Sequence, residues 1–600
     1  MPSHTTGLTH KPKKTTKHLP QWNLSDLLAD PNNYASLFKE LDQHVTRFER
    51  YRAHLNSGLS VRRFQTILQL HETIRILTSR LAAYAQLWFA QNTTNQKARA
   101  LDTTMKEQIT ACNNRMLFFD LWWQRLKPIQ ATRLMKHAGS VRYYLEILRQ
   151  LTPHTLTEAE ERIVNLKNST GRDALDMVYD IATNNFSYTL KTGRSTKTLT
   201  RETLSQLFRH PAPQTRQAAY QTLFQVYANQ KDIIGELYKT IVLDWKNEGT
   251  ILRGYSSPIA VRNVSNDIPN QAIHSLLQTC QKNTAMFQRY FCLKAKICGI
   301  SSMNRYHLHA TQPTSYTRIP YPDAIKIVLE AYHRFSPTLA EKARRVVTSW
   351  HIDARLHSGK VSGAFCYSVL PTLTPYVLVN YTEDARDVAT IAHELGHAVH
   401  SMMASHHSIF TFHPTLPLAE TASVFGEQLL ADALLQQANN RRLRQHLLMS
   451  QLDNLYATIL RQAYFVIFEN QAHEMIANGA TIDELGKQYL KLLREQFGKA
   501  MPIPEEFQWE WLTIPHLFRT PFYCYAYSFG NLLVLALYQR YQEEGDSFVP
   551  KYLQLLAAGG SQSPDALLSP LGVNIRSTQF WQAGFDRIEQ MVNHLEQTVS

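Results

Sequence analysis

Glycine and cysteine are both scarce in this chain of 600 residues, and each scarcity excludes a class of structure. The 22 glycines are too few for a fold made of many short strands joined by tight turns, so the composition favours long helices. The six cysteines are scattered and include no C-x-x-C pair. This pattern argues against a disulfide-stapled scaffold and predicts a protein of the reducing cytoplasm.

Long uncharged segments are also few, and neither of the two we find has the character of a membrane span. Residues 361–382 are interrupted by Pro371 and Pro375, and residues 521–538 contain several polar side chains. We expect a β-hairpin in the first segment and an active-site loop entering a buried helix in the second. Residues 1–20 are basic but lack the apolar core of a secretory signal, which predicts a flexible basic tail.

The chain carries a net charge of +14, which would allow nonspecific attraction to nucleic acid. The basic residues are spread along the whole sequence, however, and no zinc-finger or basic-zipper pattern occurs. We therefore expect neither a nucleic-acid nor a membrane partner. The oligomeric state stays open.

Apolar residues recur every three or four positions through most of the chain, which predicts a mainly α-helical protein. The length exceeds that of one ordinary core, so more than one lobe is expected. Strand-like alternation is confined mainly to residues 188–191 and to the segments 363–370 and 376–380. The clearest helical segments are residues 61–90, 96–123, 214–243 and 270–297.

The run His393-Glu394-Leu395-Gly396-His397 carries the clearest chemical signal. Its flanks, residues 383–404, are apolar at helical spacing and contain no proline, so the two histidines lie one turn apart on one helix face. Glu420 follows at a distance that leaves room for a loop and a returning helix. Two imidazoles and one carboxylate leave an open position on a bound Zn²⁺, as catalytic zinc sites do. The competing interpretation is a pair of structural histidines on a buried helix.

Glu394 is predicted to be a general base rather than a ligand, because it is next to a ligand and can take a proton from water. Glu427 lies two helical turns beyond Glu420 and has two interpretations. It either accepts the free N–H of a ligand imidazole or is an ordinary solvated glutamate. His400 is likewise either a residue supporting the ligands or a helical histidine without a role in the site.

Four groups of residues carry a resemblance to a known family. Residues 387–400, together with Ala419-Glu420-x-x-Ser423, resemble the thimet-type oligopeptidases, peptidase family M3. The oligoendopeptidase F branch is similar in three further segments, which are Trp22–Leu27, Gly363–Cys366, and His516 with Pro521–Tyr527.

The resemblance implies a two-lobed helical protein with a deep channel, a zinc ion at its floor and room for short unfolded peptides. It also implies that His516 and a nearby tyrosine stabilise the oxyanion. Tyr523 is favoured for that role and Tyr527 is next, with Tyr525 the third candidate and an aromatic core cluster the alternative. The hairpin before the zinc helix is either a substrate-binding edge, which the resemblance favours, or a small scaffold sheet.

The predicted organisation is a tail over residues 1–20, an N-terminal helical lobe over 21–195 and a zinc peptidase domain over 196–600. The predicted function is hydrolysis of internal bonds in oligopeptides by a cytoplasmic enzyme with one Zn²⁺ per chain. Two alternatives are a zinc carboxypeptidase of similar helical build and a catalytically silent peptide-binding protein. A carboxypeptidase requires a cationic clamp for the substrate's terminal carboxylate, and Arg519 is the only arginine in the sequence close to the aromatic segment.

Overall fold

The computed structural model describes residues 19–30, 33–192, 195–311, 318–438 and 440–599. The predicted basic tail lies outside these residues, except for Leu19 and Pro20. Helices dominate the described residues, and strands form only two small sheets. The predicted mainly α-helical class is therefore confirmed.

The α-helices, in chain order, are α1 (Tyr34–Glu49), α2 (Val61–Gln91), α3 (Gln96–Arg125), α4 (Pro128–Met135), α5 (Arg142–Gln150), α6 (Glu158–Thr170), α7 (Arg172–Asn184), α8 (Arg201–Gln206), α9 (Pro213–Asn229), α10 (Lys231–Trp245), α11 (Pro258–Ser265), α12 (Asn270–Lys282), α13 (Thr284–Ile297), α14 (Tyr321–Phe335), α15 (Pro337–Thr348), α16 (Ala385–Met403), α17 (Leu416–Ala419), α18 (Thr421–Gln437), α19 (Arg441–Leu455), α20 (Arg461–Ala477), α21 (Ile482–Phe497), α22 (Pro515–Arg519), α23 (Tyr525–Glu544), α24 (Val549–Ala557), α25 (Pro564–Leu568) and α26 (Thr578–Gln597). The strands are β1 (Tyr188–Thr192), β2 (Ser195–Leu199), β3 (Ile352–Asp353), β4 (Phe365–Tyr367) and β5 (Tyr376–Leu378).

Two of the four clearest predicted helices are single helices, α2 and α3, and the other two are each divided. Residues 214–243 become α9 and α10, and residues 270–297 become α12 and α13. The second division falls at Asn283, whose side-chain amide donates to the carbonyl of Thr279 and to Gln582. An asparagine that hydrogen-bonds in this way competes with the helical backbone, and apolar spacing alone does not reveal it.

The predicted hairpin before the zinc helix is confirmed, and it belongs to a three-stranded sheet. β4 pairs antiparallel with β5, with Phe365 opposite Leu378, and β3 pairs parallel with the other side of β5. β3 was not predicted from the sequence, because a strand of two residues is too short to show an alternating pattern. The predicted strand at residues 188–191 is β1, which pairs antiparallel with β2.

The buried side chains form a large core and two smaller ones. A separate core joins α1, α2 and α3 through side chains such as Leu41, Phe64 and Trp123. The large core contains residues from Tyr179 to Leu595. The predicted domain bounds, 21–195 and 196–600, stay a prediction. In a third cluster, Trp22 packs against the three-stranded sheet. Its ring centroid lies 6.1 Å from those of Phe365 and Tyr376.

Both uncharged segments lie where the sequence predicts them. Residues 361–382 contain β4 and β5, and residues 521–538 form a loop that enters α23, which is buried over much of its length. No helix in the described part of the chain combines the length and apolarity needed to cross a membrane. All six cysteines lie within the described residues and are free.

Candidate metal centre and active site

Local side-chain hydrogen bonds fix the start of α16, the helix that carries both histidines. The Asp384 carboxylate accepts the backbone N–H of Arg386 at 2.9 Å. Asp387 accepts the backbone N–H and the hydroxyl of Thr382 at 2.6 and 2.7 Å, and the N–H of Asp384 at 3.2 Å. These acceptors satisfy N–H groups that have no partner within the helix, so they set where α16 begins.

Two glycines allow the helices that bear the candidate ligands to approach one another closely. A methyl group on Gly396 of α16 would lie 2.5 Å from both the carbonyl oxygen of Ala422 and the Cα of Ser423 in α18. A methyl group on Gly530 of α23 would lie 2.8 Å from the Cβ of Glu420. At Gly396 the atoms in the way are backbone atoms, so only glycine fits there, which is why a weak helix former stands inside the motif.

The three predicted metal ligands converge. Nε2 of His393 lies 3.1 Å from Nε2 of His397, and Oε2 of Glu420 lies 3.3 and 3.6 Å from these two nitrogens. Among the described residues, these three form the only group of three or more His, Cys, Asp or Glu side chains whose ligand atoms are close enough to share one ion. Two imidazole nitrogens and one carboxylate oxygen, each partly accessible, fit the donor set of a catalytic zinc site.

Each ligand has a further partner that fixes its orientation. Glu427 Oε1 lies 2.5 Å from Nδ1 of His393, which leaves Nε2 of that ring directed at the cluster. The ring of His397 is hydrogen-bonded to the backbone of Ala419. Ser423 donates its hydroxyl to Glu420 Oε2 at 2.7 Å. The first interpretation of Glu427, as the acceptor behind a candidate ligand, therefore matches the geometry.

The carboxylates around His393 make this site strongly attractive to a cation. Burial lowers the pKa of His393, but the hydrogen bond to Glu427 and the charges of Glu427, Glu420 and Glu394 outweigh it and raise the pKa to about 9. For His397 the effect of burial prevails, and its pKa is lowered. Since a metal ion competes with the proton on His393, we expect metal binding to strengthen with pH.

Glu394 lies beside the ligands with only 6% of its surface exposed. Burial and the charges of Glu420 and Glu427 raise its pKa to about 7, against the opposing effect of His393. The backbone of Cys366 in β4 is hydrogen-bonded to its carboxylate. A carboxyl group with a pKa near neutrality is suited to accept a proton and to return it within one reaction cycle.

The aromatic segment, residues 521–527, places Tyr523 and Tyr527 beside His516. The ring centroids of His516 and Tyr523 are 5.3 Å apart, those of Tyr523 and Tyr527 also 5.3 Å, and those of His516 and Tyr527 5.9 Å. The two tyrosine hydroxyls are hydrogen-bonded to each other. Burial chiefly, and the charge of Glu420 in addition, raise the pKa of both tyrosines, so both hydroxyls lie within electrostatic reach of the ligand cluster.

Tyr525 faces away from this group. Its ring is fully buried, and its hydroxyl accepts a hydrogen bond from Nδ2 of Asn266 at 2.7 Å. Tyr523 lies in the turn just before α23 and Tyr527 in the first turn of that helix. Both rings lie beside the ring of His516, whereas the Tyr525 hydroxyl pairs with Asn266. Of the three candidates in the sequence, the structure brings Tyr523 and Tyr527 to the site and leaves Tyr525 in the core.

Several residues that support the site were not found from the sequence. Tyr332 of α14 donates its hydroxyl to the carbonyl of Ala392, one residue before His393. Cys366 and Ala419 act through their backbones, and no side-chain pattern signals such a contact. His400 is buried and is not a member of the ligand group; burial lowers its pKa to about 3.

Comparisons with known proteins show the family and the fold. The family model described as peptidase family M3 matches residues 206–587, more than half of the chain, and one described as oligopeptidase F matches residues 127–188. The oligoendopeptidase F homolog of Borreliella burgdorferi is 26% identical over 92% of this chain and 94% of its own length.

Two crystal structures share the fold. One, from Chlamydophila abortus, has a TM-score of 0.83 and 22% identity, over 96% of this chain and 98% of that chain. The other, oligoendopeptidase-F from Enterococcus faecium, has a TM-score of 0.73 and 21% identity, over 95% of this chain and 99% of that chain.

Proposed function

The chain belongs to peptidase family M3, and from that premise we propose that it is a zinc-dependent endopeptidase that cleaves internal bonds of short oligopeptides. The observation that carries the proposal is the convergence of His393, His397 and Glu420 beside the buried carboxyl of Glu394. These three side chains would hold one Zn²⁺ per chain. When bound, the ion supplies a Lewis acid that polarises the substrate carbonyl and makes water more acidic.

Glu394 moves the proton in the proposed reaction. It takes a proton from the attacking water as the new C–O bond forms at the scissile carbonyl. It then gives that proton to the amide nitrogen as the C–N bond breaks, so that the products are a carboxylic acid and an amine. A pKa of about 7 allows Glu394 to accept and release the proton near neutral pH.

Tyr523, Tyr527 and His516 are proposed to stabilise the negative charge that develops on the carbonyl oxygen. Phenol O–H and imidazole N–H groups are suitable donors, and a neutral donor has to keep its proton. Burial favours the neutral form of each group, since it raises the pKa of both tyrosines and lowers that of His516.

The sheet offers a place for the substrate backbone. β4 is an edge strand in the order β3-β5-β4, and its Cys366 backbone touches Glu394. A peptide that added a strand to this edge would run past Glu394 and would be bound through its backbone rather than through its sequence. Short peptides in an extended form are therefore the proposed substrates, and a cytoplasmic location stays a prediction.

Arg519, the candidate for binding a substrate's terminal carboxylate in a carboxypeptidase, is already paired with another residue. Arg519 Nη2 donates to Asp180 Oδ1 at 2.6 Å, so its charge is already paired with a carboxylate. An arginine in this state is a poor receptor for a substrate's free carboxylate.

The deciding experiment is mass spectrometry of a peptide mixture that includes peptides acetylated at the N-terminus and amidated at the C-terminus. We expect internal cleavage of blocked and free peptides alike, loss of cleavage with a chelator and recovery with Zn²⁺. Cleavage limited to free C-termini would favour a carboxypeptidase. Binding without cleavage by the zinc-loaded protein would favour a silent peptide-binding protein.

A further inference from the structure

Phe522 has an unusual backbone for a bulky residue. Its φ of +58° lies in the left-handed region, and its side chain is fully buried. This conformation is strained for an aromatic residue, because its Cβ crowds the neighbouring backbone there. The turn immediately precedes Tyr523, so whatever holds Phe522 in place also sets the direction of the Tyr523 side chain.

Two ionisable side chains hold this turn through its backbone. Glu469 of α20 accepts the N–H of Phe522 at its Oε1, at 2.7 Å. Arg262 of α11 donates through Nε to the carbonyl of Pro521 at 3.1 Å. The Pro521 carbonyl and the Phe522 N–H belong to the same peptide group, directly before the strained residue. Both ends of that group are therefore bound by side chains that are distant in sequence.

The buried position of Glu469 carries a desolvation cost. Only 1% of its surface is exposed, and its Oε2 is buried without a hydrogen-bond partner among the described residues. Burial raises the pKa of Glu469 to about 8. Burying a carboxyl group in an apolar core costs free energy, which hydrogen bonds to that group offset. The hydrogen bond that Glu469 makes here is to the turn at Phe522.

We propose that Glu469 is a positioning residue, which fixes the left-handed turn at Phe522 and thereby directs the Tyr523 hydroxyl toward the candidate metal centre. The inference rests on the proposed peptidase function. Glu469 itself touches none of the groups assigned to the reaction. Misplacing a donor by about 1 Å can cost about 100-fold in rate, so the effect of losing Glu469 should fall on kcat.

The test compares substitutions that keep or remove the acceptor. Glu469→Gln keeps a carbonyl oxygen for the Phe522 N–H, whereas Glu469→Leu has similar bulk and no acceptor. Glu469→Met, unbranched and of similar length, is a second variant without an acceptor. Gln496→Leu is the matched control, because it removes another buried acceptor, that of the Tyr456 hydroxyl, at a site with no contact to the turn.

We expect Glu469→Leu and Glu469→Met to lower kcat at least 10-fold with KM nearly unchanged, and Glu469→Gln to stay within about threefold of wild type. Gln496→Leu should lower the unfolding temperature without this loss of kcat. In a Tyr523→Phe background, Glu469→Leu should add little further loss, since both changes remove the same interaction.

A second readout does not depend on peptidase activity. Hydrogen exchange measured by mass spectrometry should become faster in residues 519–525 of Glu469→Leu and stay near wild type in Glu469→Gln. If wild type cleaves no peptide, the proposed function fails while this exchange still tests the role of Glu469.

Three outcomes would overturn the inference. The first is wild-type kcat and unchanged exchange in Glu469→Leu. The second is an equal loss of kcat in the Gln496→Leu control. The third is that both variants without an acceptor fail to fold while Glu469→Gln folds, which would make Glu469 a residue of folding rather than of positioning.

Discussion

A methyl group placed on Gly396 would lie 2.5 Å from the Cα of Ser423, so α16 and α18 are in backbone contact at this point. His393 and His397 flank Gly396 in α16, and Glu420 and Glu427 flank Ser423 at the start of α18 and within it. The spacing of the two helices therefore determines whether the carboxylates reach the imidazoles. The glycine of the motif serves the candidate metal centre by packing, without contributing a ligand.

Gly396→Ala should push the two helices apart. The atoms in the way belong to the α18 backbone, which cannot move aside as a flexible side chain would. We expect a loss of about 1–3 kcal/mol in the free energy of unfolding and weaker zinc binding. Denaturant unfolding and metal content after dialysis measure the two effects. Gly486→Ala, which would meet the Trp509 ring at 3.0 Å, is the control and should retain zinc. A Gly396→Ala protein with normal zinc content would contradict this account of the glycine.

The local parts of the site could be predicted from the sequence. Two histidines four positions apart on an apolar helix report their geometry directly, because one helix fixes both. Glu394 follows for the same reason. The hairpin of β4 and β5 shows the usual β-branched and aromatic residues.

The contacts that position these groups could not be predicted, because they join residues distant in sequence. Glu469 and Phe522 are 53 positions apart, and Tyr332 and Ala392 are 60 apart. The choice among Tyr523, Tyr525 and Tyr527 depends on where α23 begins and on which side Asn266 lies, and neither is visible in a run of alternating tyrosines. No pattern along a single chain encodes such pairings.

Glu420→Ala should lower zinc affinity more than Glu427→Ala does. The first change removes a proposed metal ligand, whereas the second removes only the acceptor behind His393. Loss of such an outer partner typically costs about 10–100-fold in affinity or activity. Zinc content at a series of chelator concentrations gives the order. Equal retention by wild type and Glu420→Ala would mean that another residue is the third ligand.

Glu394→Gln should keep the fold and the metal while losing most turnover. Glutamine has nearly the same shape but cannot accept the proton of water, and general base catalysis typically contributes about 10²–10⁴-fold. The assay is kcat on a blocked peptide, with zinc content measured on the same sample. Near-normal hydrolysis by the metal-loaded variant would exclude Glu394 as the base.

Tyr523→Phe and Tyr527→Phe should each lower kcat and kcat/KM together, with KM nearly unchanged. A hydroxyl that donates only to the developing oxyanion acts in the transition state alone, and removing one such donor typically costs about 10²–10³ in kcat.

Tyr525→Phe is the control for these two variants. It loses a buried hydrogen bond to Asn266, so it should lower stability and spare kcat. If both Tyr523→Phe and Tyr527→Phe retain wild-type kcat, the two tyrosines are structural. If Tyr527→Phe alone is impaired, the oxyanion donor is Tyr527.

Stability should depend on pH through Glu469. Its folded pKa of about 8 lies above the usual value of 4.5, so the folded chain keeps a proton that the unfolded chain has released at neutral pH. The stabilisation is therefore complete below about pH 4.5 and is lost as pH rises through about 8. At about 1.4 kcal/mol for each pKa unit, the total is on the order of 5 kcal/mol.

Other groups facing Glu469 do not reverse this direction. The hydrogen bond from the Phe522 N–H and the charge of Arg262 lower the pKa of Glu469 but do not outweigh burial. Burial also keeps the neighbouring Tyr238 and Cys524 neutral by raising their pKa values. Glu469→Gln cannot titrate, so the wild type should lose stability relative to this variant between about pH 5 and pH 8. Denaturant midpoints of the two proteins across that range provide the measurement. Parallel pH profiles would show that Glu469 is already ionised in the folded chain, and its hydrogen bond to Phe522 would then be that of a buried carboxylate.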